Sequence, residues 1–475
     1  MTSLRKAPIS VLVSSLILSL VISVGPYVSA LQVSKIEFKL SKTPGTAVTK
    51  KFVVKNEEQK PTEVTAEVAD WIRKPNGDNL YLAKNSARWT FERELSAGTS
   101  VEMVYKAILP PQFPENTFQV EGHFSSTSPY YQEKIGGDSE VNVSSRKLQT
   151  VDASSPDSPL TISRSVTFRE EKGSLSLKVT LHIEIRETVQ GLTVTERFPS
   201  NFSVSSIQDG GARFVTVERS CADWIQIQPK EFTLPAGESR EVTFRLQVPE
   251  DAAGTYWAVI FVTGSPRKVK RQGTTIMAVK RFAIKVYETV PNTAREEGYI
   301  TGLRVKTKAP PTFEIDFSNE GNTQLEVEGD LRINSATGQQ SLSLPVESVP
   351  VLPGYTRRIT VSAEPNSLKP GQYQALAVLN YGGPTNVGAR ASFQINPLSL
   401  APIGSASRKP TDPDEDGLYE DINGDGQLTS QDAIKFGLNF DTSPIMDNQR
   451  AFDFNGDGAI NIQDAYKLRS LAESG

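Results

Sequence analysis

Hydrophobic and polar residues alternate with a period of two over most of residues 31–396. The alternation is clearest in residues 50–56, 175–185, 240–248 and 313–319, and Gly- or Pro-containing turns interrupt it at short intervals. Successive side chains of a β-strand point to opposite faces of the sheet, so this pattern is typical of half-buried strands. Many short strands joined by turns favour antiparallel sandwiches. The chain is therefore predicted to be mainly β.

A repeated hairpin predicts how many sandwiches the chain contains. Residues 94–109, 233–248 and 351–364 each read as a strand, a glycine turn and an alternating strand. The turn glycines are Gly98, Gly237 and Gly354. The aromatic residues of the strands that follow, which we expect to point inward, are Phe118, Tyr256 and Tyr373. A repeat of this kind marks repeated structural units, so we expect three tandem sandwiches, at 31–148, 160–292 and 297–396.

The two ends of the chain differ from this body. Residues 1–30 have a positive start at Arg5 and Lys6, an apolar run and a small-residue cleavage site at 28–30. They are predicted to be a secretory signal peptide, with an uncleaved membrane anchor as the alternative. Residues 397–411 are rich in Ser, Pro and Gly and are predicted to be a linker to a separate C-terminal module at 412–475.

Two similar acidic loops, residues 421–432 and 453–464, dominate that module. Each has oxygen-bearing side chains at positions 1, 3, 5, 9 and 12 and glycine at position 6, which is the spacing that wraps Ca²⁺. In the first loop the candidate ligands are Asp421, Asn423, Asp425, the carbonyl of Gln427, Thr429 and Asp432. In the second loop they are Asp453, Asn455, Asp457, the carbonyl of Ala459, Asn461 and Asp464. The sequence therefore predicts two calcium sites.

Similar residues follow both loops, at 430–436 and 462–468, and their apolar spacing predicts two short amphipathic helices. Acidity is concentrated here as well. Residues 411–475 contain 14 acidic and 4 basic residues, although the whole chain has a net charge of only −4. The remaining body is mildly basic without a basic patch, which gives no reason to expect nucleic-acid binding.

The paired loop–helix halves resemble the dockerin family, whose members bind cohesin domains. The resemblance implies a calcium-dependent connector with a cohesin-like partner. It also implies that loop positions 10 and 11 contact that partner, and here these are Ser430, Gln431, Ile462 and Gln463. Position 12 is aspartate in both loops, whereas an ordinary EF-hand has glutamate. The upstream turn at 412–417 either holds a third cation through Asp412, Asp414 and Asp416 or is a solvated part of the linker.

The body also resembles a known group of proteins. Residues 235–258 and 317–329 are similar to segments of exported Ig-like proteins of bacteria and archaea, such as pilus chaperones and cell-wall-associated sandwiches. The resemblance implies three Ig-like sandwiches but no particular function, because such folds serve many roles. The single cysteine, Cys221, can form no intramolecular disulfide and is expected to be a small, buried apolar residue.

No catalytic motif is present: HExxH, GxSxG and a P-loop are absent, and the chain has only two histidines. We therefore expect a secreted, cell-surface-associated, non-enzymatic structural or adaptor protein that docks through its C-terminal module. One alternative is an accessory carbohydrate-binding subunit or enzyme of extracellular polysaccharide degradation, although Trp89 and Trp224 are expected to fill cores. Another is a chaperone-like module for surface fibre assembly, which would lend strands by edge pairing.

Overall fold

The computed structural model describes residues 31–475 except 111–112, 114–115, 152–157, 172–173, 200–201, 272–273, 309, 337–340, 365–366, 397, 399, 415 and 475. The predicted signal peptide at 1–30 thus lies outside the described residues. Strands make up most of the described chain, and its α-helices all lie after residue 429. The predicted fold class, mainly β with a small helical C-terminal module, is confirmed. None of the described helices has the length and apolar character needed to cross a membrane.

The first 290 residues contain three successive groups of strands. The first group is β1 Leu31–Val33, β2 Glu37–Leu40, β3 Ala47–Asn56, β4 Thr62–Arg73 and β5 Asn79–Leu82. The second is β6 Ser86–Thr90, β7 Ser100–Ile108, β8 Thr117–Gln119, β9 Glu121–Thr127, β10 Tyr130–Lys134, β11 Gly136–Asn142, β12 Lys147–Val151, β13 Leu160–Glu171, β14 Ser174–Ile185, β15 Thr193–Arg197, β16 Ser203–Gln208 and β17 Arg213–Val215. The third is β18 Ile225–Gln228, β19 Glu231–Leu234, β20 Ser239–Gln247, β21 Gly254–Gly264, β22 Arg267–Arg271, β23 Thr274–Ala278 and β24 Arg281–Val290.

The first and third groups form one sandwich together. Its sheets have the orders β1-β3-β20-β18 and β19-β4-β21-β24-β2, with β5 beside β4. In the first sheet Phe52 lies opposite Val242, and in the second Val68 lies opposite Ile260. The alternating apolar residues of both sheets meet in one buried core. Cys221 is buried in this core, as expected, and burial raises the pKa of its thiol.

The second group of strands is inserted between those two parts and forms its own sandwich. One sheet has the order β10-β9-β15-β6-β17, and the other β12-β11-β13-β14-β7-β16 with β8 beside β11. Their shared core includes Trp89, Tyr105 and Phe124. The predicted boundaries at 31–148 and 160–292 are therefore wrong, because each range takes strands from both sandwiches. Alternation determines which face of a strand is buried but not which distant strand pairs with it.

The third sandwich follows in one continuous stretch. Its strands are β25 Gly298–Lys308, β26 Pro311–Asn319, β27 Leu325–Ser335, β28 Ser341–Val351, β29 Thr356–Ser362, β30 Gly371–Asn380 and β31 Val387–Ile395. They form the sheets β25-β26-β29 and β28-β27-β30-β31. The buried Tyr373 donates its hydroxyl hydrogen bond to the Lys369 carbonyl at 2.7 Å. The three repeated hairpins supply β7, β20 and β29, each in a different sandwich.

The C-terminal module contains α1 Ser430–Gly437, α2 Ser443–Met446 and α3 Ile462–Ser474. Its core includes Phe436, Phe452 and Leu468, and also Leu400 and Ile403 from the predicted linker. The linker prediction for 397–411 is therefore wrong over most of its length, because two apolar side chains fix this segment to the helices. The folded module begins near residue 400.

Candidate metal centre

The first acidic loop winds around the carboxylate of Asp421. Oδ1 accepts hydrogen bonds from the backbone N–H groups of Gly424 at 2.7 Å and Asp425 at 3.0 Å, and Oδ2 accepts one from Gly426 at 2.7 Å. Gly424 and Gly426 have φ of +75° and +90°, a region that L side chains rarely adopt. The glycines at positions 4 and 6 thus allow the backbone to fold over the carboxylate at position 1.

Asp432, at position 12, closes the same loop. Its Oδ1 accepts from the Asn423 N–H at 3.0 Å, and its Oδ2 accepts from the Thr429 N–H at 2.9 Å. Thr429 and Asp432 also form a capping box at the start of α1. The fully buried Asp432 therefore ties positions 3 and 9 to the helix, which brings both ends of the predicted ligand set together.

The second loop repeats this arrangement. Asp453 accepts from the backbone N–H groups of Gly456 at 2.9 Å, Asp457 at 3.2 Å and Gly458 at 2.9 Å. Asp464 accepts from Asn455 at 3.2 Å and from Asn461 at 2.9 Å. The two loops differ at positions 2, 7, 8, 9 and 10, and the same contacts recur, so the loop geometry belongs to the shared polar and glycine positions.

The predicted ligands at positions 5 and 7 are exposed in both loops, whereas those at positions 3 and 9 are half-buried. Asp425 accepts from the Gln427 N–H at 3.0 Å and Asp457 from the Ala459 N–H at 2.9 Å. The three aspartates of either loop, all within the described chain, do not have ligand atoms within 4.8 Å of one another. Their carboxylates are turned towards backbone N–H groups. The donor set of carboxylate, amide and hydroxyl oxygens nevertheless suits a hard cation such as Ca²⁺.

The upstream turn is more compact. Asp412, Asp414, Asp416 and Glu420 each offer a carboxylate oxygen within 4.8 Å of the others, and no other such group occurs among the described residues. Glu420 was not predicted from the sequence, because it lies four residues after Asp416 and so falls outside the two-residue spacing of the three aspartates. Burial raises the pKa of Glu420 to about 8, and the three aspartates add to the effect.

The predicted partner-contacting residues Ser430, Gln431, Ile462 and Gln463 are all exposed, at the start of α1 and α3. Three apolar residues farther along, Ile434 in α1, Leu438 directly after it and Tyr466 in α3, are exposed as well. Ile434 is 63% exposed, Leu438 77% and Tyr466 69%. Their helical spacing alone predicted amphipathic helices, but it did not show that these three side chains face away from the module core.

Comparison with known proteins identifies the module. Residues 419–470 match the sequence model of the dockerin type I domain. The predicted resemblance is confirmed for this segment. Dockerin domains bind calcium, are a non-catalytic kind of domain and are typically extracellular, cell-surface modules. No curated protein sequence matches the chain.

Solved structures that align with the body include fimbrial chaperones. A chain of the chaperone–tip adhesin complex of CFA/I fimbriae biogenesis has 9% identity and a TM-score of 0.29, with coverage of 76% of this chain and 97% of that chain. The class 5 fimbriae chaperone CfaA has 8% identity, a TM-score of 0.27 and coverage of 78% and 100%. The E. coli chaperone DraB has 9% identity, a TM-score of 0.26 and coverage of 77% and 96%.

Proposed function

We propose that this chain is an exported, non-enzymatic adaptor protein whose C-terminal module folds around two Ca²⁺ ions and docks to a cohesin-like partner. The observation that carries the proposal is the repeated loop geometry, in which Asp421 and Asp453 accept the same backbone hydrogen bonds within a dockerin-like segment. The three sandwiches would act as the body that the connector attaches to a cell surface or a larger complex.

Calcium acts here by stabilising the folded module. Six carboxylates lie in two loops of twelve residues each, and they repel one another when no cation is bound. A cation held by the folded loops and not by the unfolded chain adds its binding energy to folding. Extracellular sites with Kd of about 10⁻⁴ to 10⁻³ M can be occupied, because calcium is plentiful there.

The exposed ends of α1 and α3 form the docking surface in this proposal. It consists of the predicted residues Ser430, Gln431, Ile462 and Gln463 together with Ile434, Leu438 and Tyr466. Apolar side chains exposed beside polar ones are typical of a protein-binding site, where the apolar groups become buried on association. Without Ca²⁺ the loops would unfold and both helices would become disordered. The docking surface would then be lost.

A calcium titration of the mature chain, residues 31–475 without the predicted signal peptide, tests the metal part of the proposal. We expect the helical circular dichroism signal to be largely lost in EDTA and regained with excess Ca²⁺. Asp421→Ala and Asp453→Ala should each remove one bound ion, because each removes the carboxylate at the centre of a loop. Asp441→Asn, an exposed acid outside the loops, is the matched control. Identical helix content in EDTA and in Ca²⁺ would contradict the proposal.

A binding assay on immobilised cohesin domains tests the docking part. We expect binding in Ca²⁺ and none in EDTA, and we expect the double change Ile434→Asp and Tyr466→Asp to weaken it at least about tenfold. Met446→Asp changes an exposed apolar residue of α2 and should leave binding unchanged. Equal losses in both variants, or no binding to any member of a broad cohesin panel, would count against this surface.

The alternatives concern the body. A carbohydrate-binding role would use exposed aromatic rings. The tryptophans do not supply them, because Trp71, Trp89 and Trp257 are fully buried and Trp224 packs against Tyr256 with ring centroids 4.4 Å apart. The exposed rings of the body include Tyr130 and Tyr299. A glycan array with the mature chain separates the two roles, since calcium-independent binding to a polysaccharide would favour the accessory subunit. Co-purification of a strand-donating subunit would favour the fibre-chaperone alternative.

A further inference from the structure

We propose that Asp412, Asp414, Asp416 and Glu420 form a third calcium site, which closes the turn at the start of the C-terminal module. This site does not depend on the docking function proposed above. It adds a buried ligand, Glu420, to the three aspartates that the sequence pattern suggested.

The distances fit a single ion. All four carboxylates offer an oxygen within 4.8 Å of the others. Two oxygens bound to the same Ca²⁺ at about 2.4 Å cannot lie more than about 4.8 Å apart. The four carboxylates therefore already satisfy the separation that shared coordination requires.

Glu420 provides independent evidence for a cation at this turn. This residue is only 5% exposed, and its Oε2 atom has no hydrogen-bond partner. A buried carboxylate oxygen without a partner is unfavourable, and buried charges are normally paired or bound to metals. Within the described chain, no Lys or Arg forms an ion pair with any of the four acids. A cation among them would supply the absent partner.

Backbone contacts hold the carboxylates on the inside of the turn. Asp412 accepts from the N–H groups of Asp416 at 3.1 Å and Gly417 at 2.8 Å, and Asp416 accepts from Leu418 at 2.8 Å. The ends of the turn meet in an isolated antiparallel bridge, where the Thr411 N–H donates to the Asp421 carbonyl at 3.0 Å. Glu420 is thus presented beside the aspartates by the bridge that also positions Asp421.

The site chemistry favours Ca²⁺ over Mg²⁺. Calcium accepts six to eight oxygens in irregular geometry, whereas magnesium requires a near-ideal octahedron and retains several waters. Four carboxylates on one short turn provide many oxygens without octahedral symmetry. Because Asp421 follows Glu420 directly and is bridged to Thr411, an ion in the turn would also order the entry to the first loop.

Equilibrium dialysis of the mature chain against Ca²⁺ tests the third site. We expect three ions per parent chain. Asp414→Ala, at an exposed ligand, and Glu420→Gln, at the buried ligand, should each remove one ion or weaken one binding step by at least about tenfold. Asp441→Asn should leave all three. Circular dichroism in saturating Ca²⁺ shows whether each variant remains folded.

The outcomes separate the two proposals. If Asp414→Ala and Glu420→Gln leave both the number of bound ions and their affinities unchanged, the third site is refuted. In that case Asp421→Ala and Asp453→Ala would still each remove one ion if the proposed calcium-dependent connector is correct. A parent chain that binds no calcium would overturn both proposals.

Discussion

At the scale of single residues, the inserted sandwich contains a buried ion pair. The side chains of Arg164 and Glu196 are fully buried, 2.8 Å apart, and Tyr105 donates its hydroxyl hydrogen bond to Glu196 at 3.2 Å. Arg164→Met would leave the Glu196 charge buried without its partner. We expect this change to lower the free energy of unfolding by roughly 3–5 kcal/mol. Hydrogen exchange of peptides from β13 and β14 in increasing urea measures the free energy of unfolding of the inserted sandwich.

Arg197, which directly follows Glu196 in the sequence, supplies a matched control. Its pairing with Glu121 is exposed, with an N–O distance of 3.5 Å. Arg197→Met should change the free energy of unfolding by no more than about 1 kcal/mol, since water screens such a pair. If both arginine variants lost the same stability, burial of the Arg164–Glu196 pair would not be the cause.

Asp70 makes stability depend on pH in the outer sandwich. Burial raises its pKa from 3.8 to about 6, although Ser220 and the Asn85 N–H donate hydrogen bonds to it. The folded state therefore binds the proton more tightly than the unfolded state. This stabilisation is complete below pH 4 and is lost as the pH rises through about 6.

We accordingly predict that Asp70→Asn gains stability relative to the parent chain as the pH rises from 4 to 7. The gain should be about 3 kcal/mol, from a shift of roughly two pKa units at about 1.4 kcal/mol each. Urea unfolding at several pH values in saturating Ca²⁺ measures the difference, and Asp78→Asn at the exposed turn is the control. A difference that stays constant over this pH range would contradict the assignment.

Spacing alone was enough to predict which residues share a loop. Asp421 and Asp432 belong to such a fixed pattern, and the structure places both around one loop. Glu420 escaped prediction because its significance depends on burial beside three aspartates, which is a property of the folded turn. For the same reason, the exposure of Tyr466 could not be read from the apolar spacing of α3.

At the scale of elements, the predicted linker at 397–411 was the hardest segment to interpret from the sequence. Its Ser, Gly and Pro residues are typical of a linker, and its large apolar residues, Leu398, Leu400 and Ile403, are too few to define a period. Leu400 and Ile403 are nevertheless buried against the helices, and Lys435 donates to the Ser405 hydroxyl at 3.3 Å. Local composition gave the wrong answer because tertiary contacts order this segment.

We predict that Ile403→Ala lowers the stability of the calcium-loaded module by about 2–5 kcal/mol, because it leaves a cavity among Phe436, Phe452 and Leu468. Leu398→Ala is the matched control, since Leu398 is 43% exposed, and it should cost no more than about 0.5 kcal/mol. Urea unfolding of the helical circular dichroism signal measures both. Equal effects would mean that residues 400–403 do not belong to the module core.

At the scale of the whole molecule, the hairpin repeat predicted three sandwiches but not their nesting. Phe52 pairs with Val242 across 190 positions of sequence, and either strand would satisfy its alternation with many other partners. The chain leaves the outer sandwich after β5 and returns before β18. Asn85, just after β5, donates to the carboxylate of Asp223, just before β18, at 3.2 Å, and Lys84 forms an ion pair with Asp223. The two crossings therefore lie side by side.

This closeness predicts that the inserted sandwich can be removed. A chain in which Asn85 is joined to Glu218 by a short Gly/Ser linker should retain the folded outer sandwich, because its sheets and core use only residues from the two flanking parts. A fragment of residues 31–148 should not fold, since β3 and β4 lack β20 and β21 and would expose their apolar faces. Dispersion of amide signals in NMR spectra distinguishes folded from unfolded chains. A folded 31–148 fragment together with an unfolded deletion chain would contradict the nested pairing.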